Sequence, residues 1–147
     1  MTQYSHILAA LDLSEESHQV LARAVALAKA SSATLSLVHV IEPLTFAYGG
    51  DIPVDLTEVQ EQLHTQATEQ LAKLVAMLDT QIRDQHVLIG QPATEIHSLA
   101  AEQNCDLIVV GSHGRRGLAL LLGSTANSVL HGAQCDVLAV RVKPHQP

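Results

Sequence analysis

Residues 106–117 read D-L-I-V-V-G-S-H-G-R-R-G. The apolar run Leu107–Val110 stops at Gly111, and glycine returns at Gly114, Gly117 and Gly123 before Ser124-Thr125. A short continuous apolar run suits a strand of a parallel sheet that is covered on both faces. The glycines let the backbone turn and approach a ligand closely. Leu107–Val110 is therefore expected to be a strand that delivers the chain into a loop of unusual freedom. Ser124–His131 is expected to be the helix after it, with Gly132 placed to end it.

The same alternation runs outward in both directions. His6–Leu11 and Thr34–Ile41 are strand-like runs, and between them Val20, Leu21, Ala24, Val25, Leu27 and Ala28 recur at helical spacing. Asp12-Leu13-Ser14-Glu15-Glu16 looks like the start of that helix, with Asp12 as its cap and acids in the first turn. Residues 42–55 hold Pro43, Gly49, Gly50 and Pro53 and form a loop. A helix should begin near Asp55 or Thr57, with the stripe Val59, Leu63, Ala67, Leu71, Leu74, Val75 and Leu78. His86–Ile89 is the third strand, Pro92 suits the first turn of the next helix, and Ile96, Leu99 and Ala100 are its buried side. Val137–Val142 is the last strand, closed by Pro144. Strands alternating with helices imply an α/β fold, one domain over 1–147, with a parallel sheet and helices on both faces. On such sheets ligands bind beyond the carboxyl ends of the strands, here just after Leu11, Val40, Ile89 and Val110.

Composition narrows the function. The chain has 8 Lys plus Arg against 15 Asp plus Glu, a net charge of -7, which disfavours nucleic acid and anionic membrane as partners. Its three aromatics, Tyr4, Phe46 and Tyr48, offer no platform for stacking bases. No apolar run reaches the roughly 20 residues of a membrane span, and the N-terminus lacks the marks of a signal peptide. Cys105 and Cys135 each precede an Asp and an apolar run, and read as half-buried thiols at strand starts. A cytoplasmic protein with reduced thiols is expected.

The stretch Gly111–Gly123 reads either as an anion cradle or as a loop with a solvated Arg115-Arg116 pair. Successive N–H groups in glycine turns make anion-binding nests, and the helix start at Ser124 adds free N–H groups and a positive dipole end. Asp12 either caps the first helix, or faces the glycine loop and bonds a base, a ribose or a metal-bound phosphate. His113 contacts a phosphate or holds the loop. His39, inside the second strand, reads as a structural histidine. No G-x-G-x-x-G follows the first strand, no Walker motif is present, and no histidine pair has zinc-helix spacing.

The sequence resembles the universal stress protein family over nearly its whole length, most closely the A group. The resemblance rests on H-I-L-A-A-L-D-L-S-E-E-S (6–17), L-V-H-V (37–40), D-L-I-V-V-G-S-H-G-R-R-G (106–117), L-L-G-S-T-A (121–126) and C-D-V-L-A-V (135–140). It implies an open, Rossmann-like five-stranded parallel sheet of order 3-2-1-4-5, of the adenine nucleotide alpha hydrolase-like type. ATP-binding members are similar in carrying G-x-x-G, nine residues, then G-[ST]. Here Gly111-x-x-Gly114 and Gly123-Ser124 enclose eight residues, Arg115–Leu122. The resemblance implies that Ala10, Leu11, Asp12 and Val40 meet the adenine and ribose. It places Gly111, Ser112, His113, Gly114, Arg115, Gly123, Ser124 and Thr125 on the ribose-phosphate side.

The resemblance implies a regulatory protein of the stress response, not an enzyme, that binds ATP with Mg2+. The alternatives are a nucleotide-independent homodimeric module and, last, a slow ATP-hydrolysing enzyme, for which no residue is clearly placed as a base for water. Loop 42–55, with Phe46 and Tyr48, is expected to cover the crevice or to lie pinned on the core. In the order 3-2-1-4-5 the last strand is an edge, and Val137, Leu138, Ala139, Val140, Arg141 and Val142 make it apolar apart from the arginine. Such an edge invites a second copy about a two-fold axis, so a homodimer is expected, with proline at Val140 as its probe.

Overall fold

The computed structural model describes residues 4–43, 57–112 and 124–143. Nine elements follow one another: β1 (His6–Ala10), α1 (Ser17–Ser31), β2 (Thr34–Ile41), α2 (Thr57–Ala76), β3 (Asp84–Ile89), α3 (Pro92–Glu102), β4 (Leu107–Gly111), α4 (Ser124–Gly132) and β5 (Asp136–Val140). The five strands form one parallel sheet of order β3-β2-β1-β4-β5, the order that the family resemblance implied.

Two apolar layers sandwich the sheet. On one face Ile7, Ala9, Leu35, Leu37, Leu107 and Val109 pack under α1 and α2. On the other, Leu8, Val38, Ile108 and Val110 pack under α3 and α4. Successive strand residues point to opposite faces, so a strand buried on both sides must be apolar throughout, which is why the runs are continuous.

Element boundaries depart from the sequence reading for local reasons. Helix α1 begins at Ser17, five residues after Asp12, with Glu16 at its N-cap position and no side-chain cap bond. Asp12 organises the approach instead. Its Oδ1 accepts from Ser14 N (3.0 Å), Ser14 Oγ (2.7 Å) and Ser17 Oγ (3.0 Å), an Asx-type turn that delays the helix. Leu13 takes a left-handed conformation there (φ 59°). Strand β3 starts at Asp84, two residues before the start that its apolar residues suggest. Gly132 is the last residue of α4, and its conformation is not left-handed. Its small size answers to α3: a Cβ at this position would lie 2.9 Å from His97 Nε2.

The stripe of α2 begins later than its spacing indicates. Ala67 and Leu71 are buried, whereas Val59 is 44% exposed. Strand β5 ends at Val140, so Arg141 and Val142 fall outside the ladder. The Val142 N–H donates to Ser112 Oγ (3.2 Å), a side chain, in place of a backbone carbonyl. Beyond it, the Gln19 amide grips both backbone groups of Lys143, donating to the carbonyl and accepting from the N–H at 2.9 Å each.

Candidate functional site

The centre of the sheet opens at its carboxyl end. Paired residues between β1 and β4 run only from Ile7–Leu107 to Ala9–Val109. On the outer sides pairing continues, to Ala10–Val38 with β2 and to Gly111–Val140 with β5. Beyond that, each central strand bonds outward to its other neighbour. Leu11 N donates to Val38 O (2.9 Å), and Ser112 N donates to Val140 O (2.7 Å). This is the point where strand order reverses, and the crevice expected there is where open α/β sheets hold ligands.

Each wall has its own support. On the β1 side, His39 is buried with Nδ1 2.7 Å from Leu11 O, which fixes the last turn of β1 to β2. This agrees with the structural role expected for His39. Leu11 is buried in the α1 layer, while Ala10 and Val40 are half-buried on the α3–α4 face, where they border the opening. Asp12 stands at the lip, its Oδ1 committed to the turn before α1. On the β4 side, Gly111 ends the strand. The buried Ser112 uses its N–H on Val140 of β5 and one hydroxyl lone pair on Val142 just beyond it, and its hydroxyl proton has no acceptor among the described residues. Helix α4 starts at Ser124 and is anchored on that same face by Ala126 and Val129, with Thr125 half-buried beside them.

The structure thus brings Ala10, Leu11, Asp12, Val40, Gly111 and Ser112 to one end of the sheet. His113, Gly114, Arg115 and Gly123 lie outside the described residues, as do Phe46 and Tyr48 of the loop expected to cover the crevice. Two other concavities, of about 320 and 470 Å³, run along β3 and α2, away from the crevice. They flank His64, whose Nε2 lies 3.1 Å from Val87 O on the edge strand. These are open grooves beside an edge, and the reversal point has the stronger physical claim to a ligand. Among the described residues no cluster of three metal-ligating side chains occurs, and no helix is long and apolar enough to cross a membrane.

Sequence reasoning missed the polar groups at the opposite, amino end. Tyr4 Oη donates to Asp136 Oδ2 (2.9 Å), which with the negative charges nearby raises the phenol's pKa. Asp106 accepts from Ser5 N and His6 N. Burial, and then the neighbouring Cys135 and Asp106, push the Cys105 thiol up to about 11. The paired C-D starts at 105–106 and 135–136 were the available signal.

Residues 3–141 match the Universal stress protein family. The chain belongs to that family. It is 45% identical to Universal stress protein A homolog 1 of Coxiella burnetii over 142 residues, covering 95% of this chain and 98% of the relative. It is 42% identical to homolog 2 of the same organism, covering 97% and 99%. Among solved structures it is similar to hypothetical protein MJ0577, with a TM-score of 0.82 and 26% identity over 98% of this chain and 100% of the other. It is also similar to a universal stress protein in complex with cAMP, with a TM-score of 0.63 and 25% identity over 94% and 97%.

Proposed function

We propose that this universal stress protein binds ATP with Mg2+ in the crevice between β1 and β4 and acts by nucleotide-dependent conformation or partner binding, not by catalysis. The observation that carries the reading is the early end of the β1–β4 ladder directly before Gly111-x-x-Gly114. The half-buried Ala10 and Val40 offer apolar surface for an adenine, and Asp12, just after β1, would meet the ribose or a metal-bound phosphate. The glycine turns and the start of α4 would present N–H groups to the phosphates. A cyclic nucleotide in the related complex supports an adenine-type ligand at a fold of this kind. The experiment is calorimetry and thermal unfolding with millimolar Mg-ATP, repeated on Gly114→Val. A ligand at a hundred times its Kd stabilises the fold by about 2.7 kcal/mol, and the variant should lose that gain. No heat and no shift in the unmodified protein refute the reading.

A homodimer through β5 accompanies it, in a single cytoplasmic domain. The edge position of β5, its half-buried Val137, Leu138 and Ala139, and the two free thiols support this part. A nucleotide-independent dimeric module is the second reading. The eight-residue spacing Arg115–Leu122 favours it, and it leads if Mg-ATP has no effect while the dimer persists.

A further inference from the structure

At the amino end of the sheet, remote from the crevice, Asp84, His86 and Gln103 converge. Asp84 and His86 are two apart on β3, so both point to the face on which Leu88 packs under α3 and α4. Gln103 caps the end of α3 and meets them from that layer. His86 Nε2 lies 3.1 Å from Asp84 Oδ1 and 3.1 Å from Gln103 Nε2. Gln103 Nε2 lies 3.4 Å from Asp84 Oδ2.

These three groups do not satisfy one another. The carboxylate only accepts, the amide nitrogen only donates, and His86 Nε2 stands between them. With a hydrogen on Nε2 the ring suits Asp84 and opposes the amide. Without one it suits the amide and turns its lone pair on the carboxylate. Two acceptors are also left over, because Asp84 Oδ1 and Gln103 Oε1 are buried and make no hydrogen bond. Most buried polar atoms have a partner, so two orphans in one cluster call for a cause.

A single cation removes the conflict. The two ends of the Gln103 amide have nearly the same shape, and a half-turn puts Oε1 where Nε2 stands. The turn gives up the two amide contacts and no bond at Oε1, which has none. A carboxylate, an imidazole nitrogen and an amide oxygen then face one point, with separations of 3.1 to 3.4 Å. Metal bonds of about 2.1 Å set neighbouring donors about 3.0 Å apart in an octahedron and about 3.4 Å apart in a tetrahedron. The spacing across the cluster is that of a coordination shell.

We propose that Asp84, His86 and Gln103 bind a divalent transition-metal ion such as Zn2+ or Co2+, with water in the remaining positions. An imidazole with two oxygens suits these ions, whereas Ca2+ and Mg2+ take oxygen ligands alone. The side chains of His86 and Asp84 are 25% and 32% exposed, which leaves a path for the ion and its water. Among the described residues no three His, Cys, Asp or Glu gather, so the third donor here is a neutral amide. Arg83 Nε, 3.9 Å from Asp84 Oδ2, repels a cation from that side. Both features hold the affinity below that of a structural zinc site. Bound, the ion ties the edge strand β3 to the end of α3.

The chain holds 9 histidines, so stoichiometry alone does not locate an ion. The test therefore titrates the full chain, first stripped with a chelator, with Co2+ chloride and follows it by NMR. Paramagnetic shifts should saturate, centre on His86 and Gln103, and vanish when Zn2+ chloride is added. His86→Asn should abolish them, and His18→Asn, on the exposed face of α1, should leave them unchanged. Gln103→Glu should tighten Co2+ binding about tenfold or more, because a charged oxygen replaces a neutral one. No binding at millimolar Co2+, shifts centred elsewhere, binding that survives His86→Asn, or an affinity unmoved by Gln103→Glu overturns the proposal. The location of the shifts in the unmodified protein decides the point even if a variant does not fold.

Discussion

Ser112 and Val142 are joined across the end of the sheet, the Val142 N–H donating to the Ser112 hydroxyl oxygen at 3.2 Å where a ladder bond would otherwise stand. Both residues are buried. Ser112→Ala leaves a buried N–H without its acceptor, which costs about 1–3 kcal/mol. Urea unfolding should show that loss with an unchanged m-value. A stability within error of the unmodified protein would mean that water replaces the hydroxyl.

The direction of β5 corrects the choice of probe for its edge. Val140 O accepts from Ser112 N, so the backbone groups of Val140 face β4, and those of its neighbours Ala139 and Arg141 face away. Proline at Val140 should therefore damage the β4–β5 ladder and the fold. Ala139→Pro should leave the circular dichroism spectrum intact and convert the proposed dimer to monomer in sedimentation equilibrium. A dimer that survives Ala139→Pro is not held by this edge.

His39→Leu removes the partner of Leu11 O at the wall of the crevice. The orphaned carbonyl and the lost contact should cost about 1–3 kcal/mol in chemical unfolding. If the crevice binds Mg-ATP, the variant should also bind it more weakly, because the last turn of β1 is no longer fixed to β2. Unaltered stability would show that Leu11 O finds another donor.

Cys105 has a folded pKa raised to about 11 from an ordinary 9.0, first through burial. The folded state then holds the thiol proton more tightly than the unfolded chain does. The stabilising contribution is complete below pH 9 and fades as the pH rises through about 11. Stability measured from about pH 8.5 to 11 should fall less steeply in Cys105→Ala than in the unmodified protein. At about pH 8, alkylation of Cys105 in the folded state should lag far behind that of a free peptide thiol.

Asp84 titrates in the opposite sense. Its carboxyl sits below the ordinary value because donors outweigh burial. Its contribution is present above the unfolded carboxylate pKa and is lost as the pH falls through the folded one. Asp84→Asn should flatten the acid limb of stability below about pH 4, and equal acid limbs would show that the donors do not act on it.

The strands were legible because burial on both faces writes itself as an unbroken apolar run, in Leu107–Val110 as in His6–Leu11. What escaped was polar. The amino half of β3 is held by Asp84 and His86, which carry no apolar signal. The start of α1 was misplaced because Asp12 draws Ser14 and Ser17 to one oxygen, and the same residues spell a cap when read in line. Val59 fits the helical period of α2 but is 44% exposed, since spacing marks a face and cannot say how far the sheet extends under it. At the crevice, Gly111 and Asp12 could be placed from sequence. The engagement of Ser112 with Val142 could not, because it depends on a residue thirty positions away.

The grip of Gln19 on Lys143 turns the far end of the sheet into a mounting point. The Lys143 backbone is clamped at both its groups, while its side chain is exposed. A fluorophore attached there through a short linker would rotate with the whole molecule. Its anisotropy would then measure the size of the tumbling particle directly, so one label could follow assembly and dissociation in dilute solution.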